Sequence, residues 1–152
     1  MSDEPSSHPD RNCGHTLAFL VLRLFLGLRT LFAGIEKFEK GGTYSAANYS
    51  DNMHHMAAGI TGASFLPLWM TTDFAMTLGY VLTLLGGLLI LGVKSRLTLF
   101  VTGLVYVGLA FGLMAVQEQQ GTAWLGIYVG LIAGALVLVR HDRLALWPDK
   151  RD

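Results

Sequence analysis

Long apolar runs separated by unequal polar connectors set the pattern of this chain. Four runs, 16–35, 74–93, 97–116 and 123–139, hold 17 to 20 residues each. A helix needs about 20 apolar residues to cross the hydrocarbon core of a bilayer. The connectors at 94–96 and 117–122 are short, which makes the second, third and fourth helices antiparallel neighbours. The pattern therefore predicts an all-α fold, an integral membrane four-helix up-down bundle spanning 16–139. Polar tails are expected at 1–15 and 140–152.

The 36–73 connector is long enough to hold structure of its own, and long structured connectors are often functional. Residues 51–64 read as a helical turn or two, with Ser50 or Asp51 as N-cap. The apolar piece 65–70 is too short to cross, and Pro67 interrupts a helix there. The segment reads as an outer flap with a short interfacial or re-entrant helix over the mouth of the bundle.

The first run is unusual because it carries charge. At about 100° per residue, Arg23, Gly27, Thr30, Gly34 and Lys37 share one stripe, with Phe25 and Phe32 on the opposite side. Arg29 leaves the stripe and points toward the azimuth of Glu36. With the span beginning at Leu17, Arg23 lies ~9 Å and Arg29 ~18 Å along the helix. A guanidinium at that depth costs at least ~2.5–3.5 kcal/mol unless it snorkels or meets protein, water or a partner. The middles of the other three runs contain no Asp or Glu, and Glu36, Asp73 and Glu118 sit only at outer edges. An anionic or strongly accepting group is the chemistry that offsets such cations. Hydroxyls, carbonyls and lipid head groups in a purely structural bundle are the alternative.

Composition agrees with the pattern. Charged residues make up 14% of the chain and apolar ones 52%, with 18 glycines; soluble domains carry nearer ~25% charged residues. Formal charge is zero and there is no basic tract, so nucleic-acid binding has no electrostatic basis. Arg11, Lys94, Arg96, Arg140, Arg143, Lys150 and Arg151 fall on one side and Lys37 and Lys40 on the other, seven against two. That asymmetry places both termini in the cytoplasm. Trp69, Trp124 and Trp147 lie near expected span ends. The N-terminal run lacks the compact basic start of a signal peptide and is expected to be retained as both signal and anchor. Cys13 is the single cysteine and reads as an incidental tail residue, which excludes a CxxC relay.

Other chemistry is sparse. His54 and His55, flanked by Met53 and Met56, are adjacent donors whose directions diverge on a helix, so they make a pocket lining rather than a metal site. No catalytic triad, phosphate loop or dinucleotide fingerprint occurs. Tyr80 and Tyr106 are candidates to line a cavity. Gly126, Gly130 and Gly134 recur every four residues, as do Gly108 and Gly112. Such faces allow close backbone approach in lipid, within the bundle or against a homodimer mate or another subunit.

Arg23-Leu-Phe-Leu-Gly27 followed by Gly34-Ile-Glu-Lys37, together with Gly86-Gly87-Leu-Leu-Ile-Leu-Gly92-Val-Lys-Ser-Arg96, resembles the DoxX-like family over about 17–146. The matched positions are Arg23, Gly27, Gly34 and Lys37 in the first helix and Gly87, Gly92 and Arg96 at the end of the second. Where many members carry a glutamate in the second helix, this chain has Thr83. The resemblance implies a four-helix protein of the bacterial cytoplasmic (inner) membrane, some relatives being subunits of thiosulfate:quinone oxidoreductase. The expected function is an accessory or quinone-associated subunit of a membrane oxidoreductase, with Arg23, Arg29 and Lys37 toward the bound group and His54 and His55 covering it. No cofactor would be intrinsic, redox groups belonging to other membrane subunits, with a quinone as the candidate bound molecule. The alternatives are a scaffold subunit of a respiratory or photosynthetic complex, and a small transporter of an anion or lipophilic solute.

Overall fold

The computed structural model describes residues 9–141 and is built almost wholly of helix. Its elements are α1 (Pro9–Ile35), a 3-10 turn (Glu36–Phe38), a hairpin of β1 (Glu39–Lys40) and β2 (Thr43–Tyr44), then α2 (Ala46–Ala63), α3 (Leu68–Leu91), α4 (Ser95–Ala115) and α5 (Gln119–Leu138). A second 3-10 turn, Val139–His141, follows α5. Four of these helices are long and apolar enough to cross a membrane: Gly14–Phe38 (which includes the 3-10 turn), Leu68–Leu91, Ser95–Ala115 and Gln119–Leu138. The chain is that of a multi-pass membrane protein. The expectations for Cys13, Arg11, Arg143, Lys150, Arg151, Trp147 and the tail 142–152 lie outside the described residues or their described side chains.

Helix boundaries depart from the expected ones for local reasons. The first helix is already helical at Pro9, ahead of the apolar run that starts at 16. Pro67 acts as the N-cap of α3, where a missing N–H costs no hydrogen bond. So 68–70 are the first turn of a spanning helix, and not part of a re-entrant piece. The expected turn or two at 51–64 is an 18-residue helix capped by Ser45, whose Oγ accepts from the Asn48 N–H at 3.1 Å. Gly92, expected at a packing face, instead ends α3 in the left-handed conformation (φ 70°), with Val93 N–H reaching back to the Leu88 carbonyl.

α1 packs most extensively on α3, and α4 on α5; α1 also meets α5, and α3 meets α4. Glycines set the α1–α3 approach. A Cβ on Gly27 would meet Ile90 and Leu89, one on Gly34 would meet Thr83 and the Gly79 carbonyl, and one on Gly86 would enter the Leu31 backbone. The predicted stripe of α1 is its buried face: Arg23, Gly27, Thr30 and Gly34 are all buried, while Phe25 and Phe32 are exposed. A second set of glycines on α3, α4 and α5 behaves differently. Gly87, Gly112, Gly126, Gly130 and Gly134 would each add a Cβ into open space, and Gly108 has only ordinary contact with Phe74. These do not mediate packing within the chain.

α2 lies against α3 and the 36–38 turn. Tyr49 fixes it: the phenol donates to the Met76 carbonyl (2.6 Å, with the Ala75 carbonyl at 3.2 Å) and accepts from the Gly79 N–H at 3.2 Å. Its ring occupies the space a Cβ on Gly79 would need. Burial pushes the Tyr49 phenol above its ordinary range, as expected for an acid kept neutral. Phe38 stacks on Tyr49 at 4.4 Å, and Tyr80 meets both rings edge-on.

Substituting Gly86 by Ala should push α1 off α3 and cost about 1–3 kcal/mol, the usual penalty of overpacking. Gly130→Ala should leave stability unchanged, and thermal denaturation of the two variants in micelles reads the difference.

Candidate functional site

A cavity of about 630 Å³ lies among α1, α3, α4 and α5, with α2 contributing to its wall. Most of its lining is apolar, including Ala33, Met56, Phe74, Leu82 and Trp124. The charged lining is confined to α1 and the turn that follows it: Arg29, Glu36 and Lys37. Tyr106 from α4 and Tyr128 from α5 complete the polar part.

Helical phase explains why Arg29 lines the cavity and Arg23 does not. Six residues at ~100° each leave the two arginines about 120° apart around α1. Arg23 faces into the packed bundle at 3% exposure and makes interactions of its own there. Arg29 is half-buried, and its Nε donates to the Tyr128 hydroxyl at 3.2 Å. Its guanidinium carbon stands 5.4 Å from the Tyr128 ring centroid, a distance at which the ring's negative face attracts a cation. Tyr128 is in turn braced edge-on by Tyr106, centroids 5.9 Å apart. Tyr106 is anchored by a hydrogen bond between its hydroxyl and Thr30 Oγ1 (3.2 Å), with Thr30 fully buried. Three helices thus hold one cation in place.

Lys37 is located by its backbone. Asn52 Nδ2 on α2 donates to the carbonyls of Lys37 (3.2 Å) and Glu39 (2.8 Å), pinning the turn after α1. The neighbouring hairpin turns through Gly41 and Gly42, both at positive φ, and an exposed Lys40–Asp51 pair at 3.2 Å spans to α2. Among the described residues no ion pair joins Glu36 to Arg29 or Lys37. Among the described residues, the side-chain hydrogen bond of Arg29 is the one from Nε to Tyr128, and the residue lines the cavity.

Of the residues singled out from sequence, Arg29, Lys37 and Tyr106 come together here. Tyr80 does not: it is 55% exposed and belongs to the aromatic cluster that fastens α2 to α3. His54 and His55 are exposed on α2, and the α2 residues that reach the cavity are Met56 and Ile60, one turn apart on another face. No group of three metal-ligating side chains forms among the described residues. Thr83 bonds back to the Gly79 carbonyl at 2.8 Å and abuts Gly34, so a longer acid would not fit this contact unchanged. Tyr128 and Glu36 were the missed members. Tyr128 is one hydroxyl among several in the spans, and only pairing across 99 residues with Arg29 singles it out.

Replacing Tyr49 by Phe removes the bonds that dock α2 on α3 and should weaken that docking by about 1–2 kcal/mol. Faster proteolytic cleavage within 36–67, with the four spanning helices intact, is the expected result. No protein-family model matches this chain, and neither a curated protein nor a solved structure matches it significantly.

Proposed function

We propose that the chain is an accessory, quinone-associated subunit of a membrane oxidoreductase, in keeping with its resemblance to DoxX-like proteins. It sits in the bacterial inner membrane as an up-down bundle with both termini in the cytoplasm. The observation that carries this reading is Arg29, held by Tyr128 through Nε in the wall of an apolar cavity. An apolar ring or tail with an acceptor oxygen at its head matches such a wall, and pockets of about 300–1,000 Å³ are the usual size for small ligands. A quinone-class molecule would supply two-electron chemistry, and Arg29 would hold its carbonyl oxygen. Lys37 and Glu36 are the cavity's charged members beyond Arg29, while Leu82, Phe74 and Trp124 give the rest an apolar wall. Electron-carrying groups would belong to partner subunits.

A scaffold role is the second reading, and a separate feature favours it. α5 buries only 11% of its most apolar stretch, against 39% for α3. Its exposed side displays Gly126, Gly130 and Gly134.

Purification with native lipids, followed by extraction, tests the first reading through Arg29→Leu. Quinone retained per chain should fall by roughly tenfold, as for loss of a charge-assisted hydrogen bond in an apolar site. Retained quinone at the wild-type level in a folded variant overturns it. Loss of co-purifying subunits on Gly130→Leu, with quinone content unchanged, would establish the scaffold instead.

A further inference from the structure

We infer that the cavity selects a head group carrying a full negative charge, so that its ligand class is an acidic, ring-shaped lipophile such as a hydroxyquinone and not a neutral quinone. This rests on the reading of the cavity as a site for a quinone-like molecule, and it narrows that reading.

The charge count carries the inference. Among the described residues, the ionisable cations and carboxylates lining the cavity are Arg29, Lys37 and Glu36, two positive and one negative. Glu36 is exposed at the outer edge and forms no ion pair with either cation. Every other wall is apolar or a neutral hydroxyl. A neutral carbonyl would accept a hydrogen bond from Arg29 and still leave one positive charge facing a low-dielectric space. A monoanion removes it, and hydrogen bonds to charged acceptors are roughly twice as strong as neutral ones.

The protein's own bonds favour the same outcome. Tyr128 accepts from Nε of Arg29, and a guanidinium engaged through Nε still carries two terminal amines, a fork that suits two adjacent oxygens. A hydroxyquinone anion offers such a pair, its ionised oxygen beside a neighbouring carbonyl oxygen, as a carboxylate offers two oxygens. Lys37, on the turn fixed by Asn52 and roughly 12 Å beyond Arg29 by helical rise, adds a second positive charge to the lining. The other polar groups, Tyr106 and Tyr128, are hydroxyls engaged with Thr30 and Arg29. No second carboxylate within the described lining would repel an anion.

Two probes of nearly equal size separate the possibilities. 2-Methyl-1,4-naphthoquinone is neutral, and 2-hydroxy-1,4-naphthoquinone is ionised at neutral pH. Binding of each to the full chain in zwitterionic nanodiscs is measured by calorimetric titration, with empty nanodiscs as the reference. The hydroxy compound should bind roughly tenfold more tightly. That preference should shrink toward unity in Arg29→Gln, shrink in part in Lys37→Gln, and grow in Glu36→Gln. Equal affinity of the two probes for the wild type, or a preference that both cation variants leave unchanged, overturns the anion selection while the quinone site stands. If neither probe binds above the empty discs, both readings fall.

Discussion

Close approach of the α1 and α3 backbones is the constraint from which the rest of the structure follows. In lipid, burying apolar side chains gives no net drive between helices, so contact must come from packing at short range. Gly27, Gly34 and Gly86 supply it, each at a place where a β-carbon would collide with the facing helix. Gly79 extends the same logic one layer outward by admitting the Tyr49 ring, which docks α2. Side-chain bulk elsewhere on α1, such as Phe25 and Phe32, faces outward and does not compete for this contact.

Once those glycines set the rotation of α1, the fates of its two arginines are set as well. Arg23 shares the glycine stripe and is drawn into the protein, where it is engaged. Arg29 is rotated off the stripe toward α5 and reaches Tyr128. The Thr30–Tyr106 bond then fixes α4 against the same turn of α1. A cation, two phenols and a threonine from three helices are thereby registered by the glycine contacts, Thr30 on that stripe itself and Arg29 about 120° around α1.

The four spans and the buried stripe of α1 were legible in the sequence because length, hydropathy and a 100° period are properties of single segments. Boundaries were less so: the pattern marks where apolarity ends, while Pro67 decides where α3 begins. The glycine repeats of α4 and α5 show the limit of spacing as evidence. Gly126, Gly130 and Gly134 share the small-residue logic of Gly27 and Gly34, yet meet nothing within the chain. Tyr80 and Tyr106 are equally plausible hydroxyls in the sequence, and only the packing sends one to the α2 anchor and the other to the cavity. Tyr128 was illegible for a related reason, since its partner lies 99 residues away.

What distinguishes the cavity is the acid missing from the turn beside Arg29. One helical turn beyond Arg29 is position 33, where a Glu or Asp would close an i,i+4 pair on the same face. That position is Ala33, and it lines the cavity. The nearest acid along the helix is Glu36, seven residues on and roughly 10 Å further by helical rise. Tyr128 offsets part of the guanidinium's cost through its hydroxyl and its ring, at a strength of about 0.5–2 kcal/mol for the ring contact. The ring contact by itself is less than the ~2.5–3.5 kcal/mol a central arginine costs in a bilayer, so the hydroxyl has to carry the remainder. A small residue next to the charge, a brace that orients the charge without neutralising it, and an apolar hollow beside both together leave room for an acceptor from outside the chain.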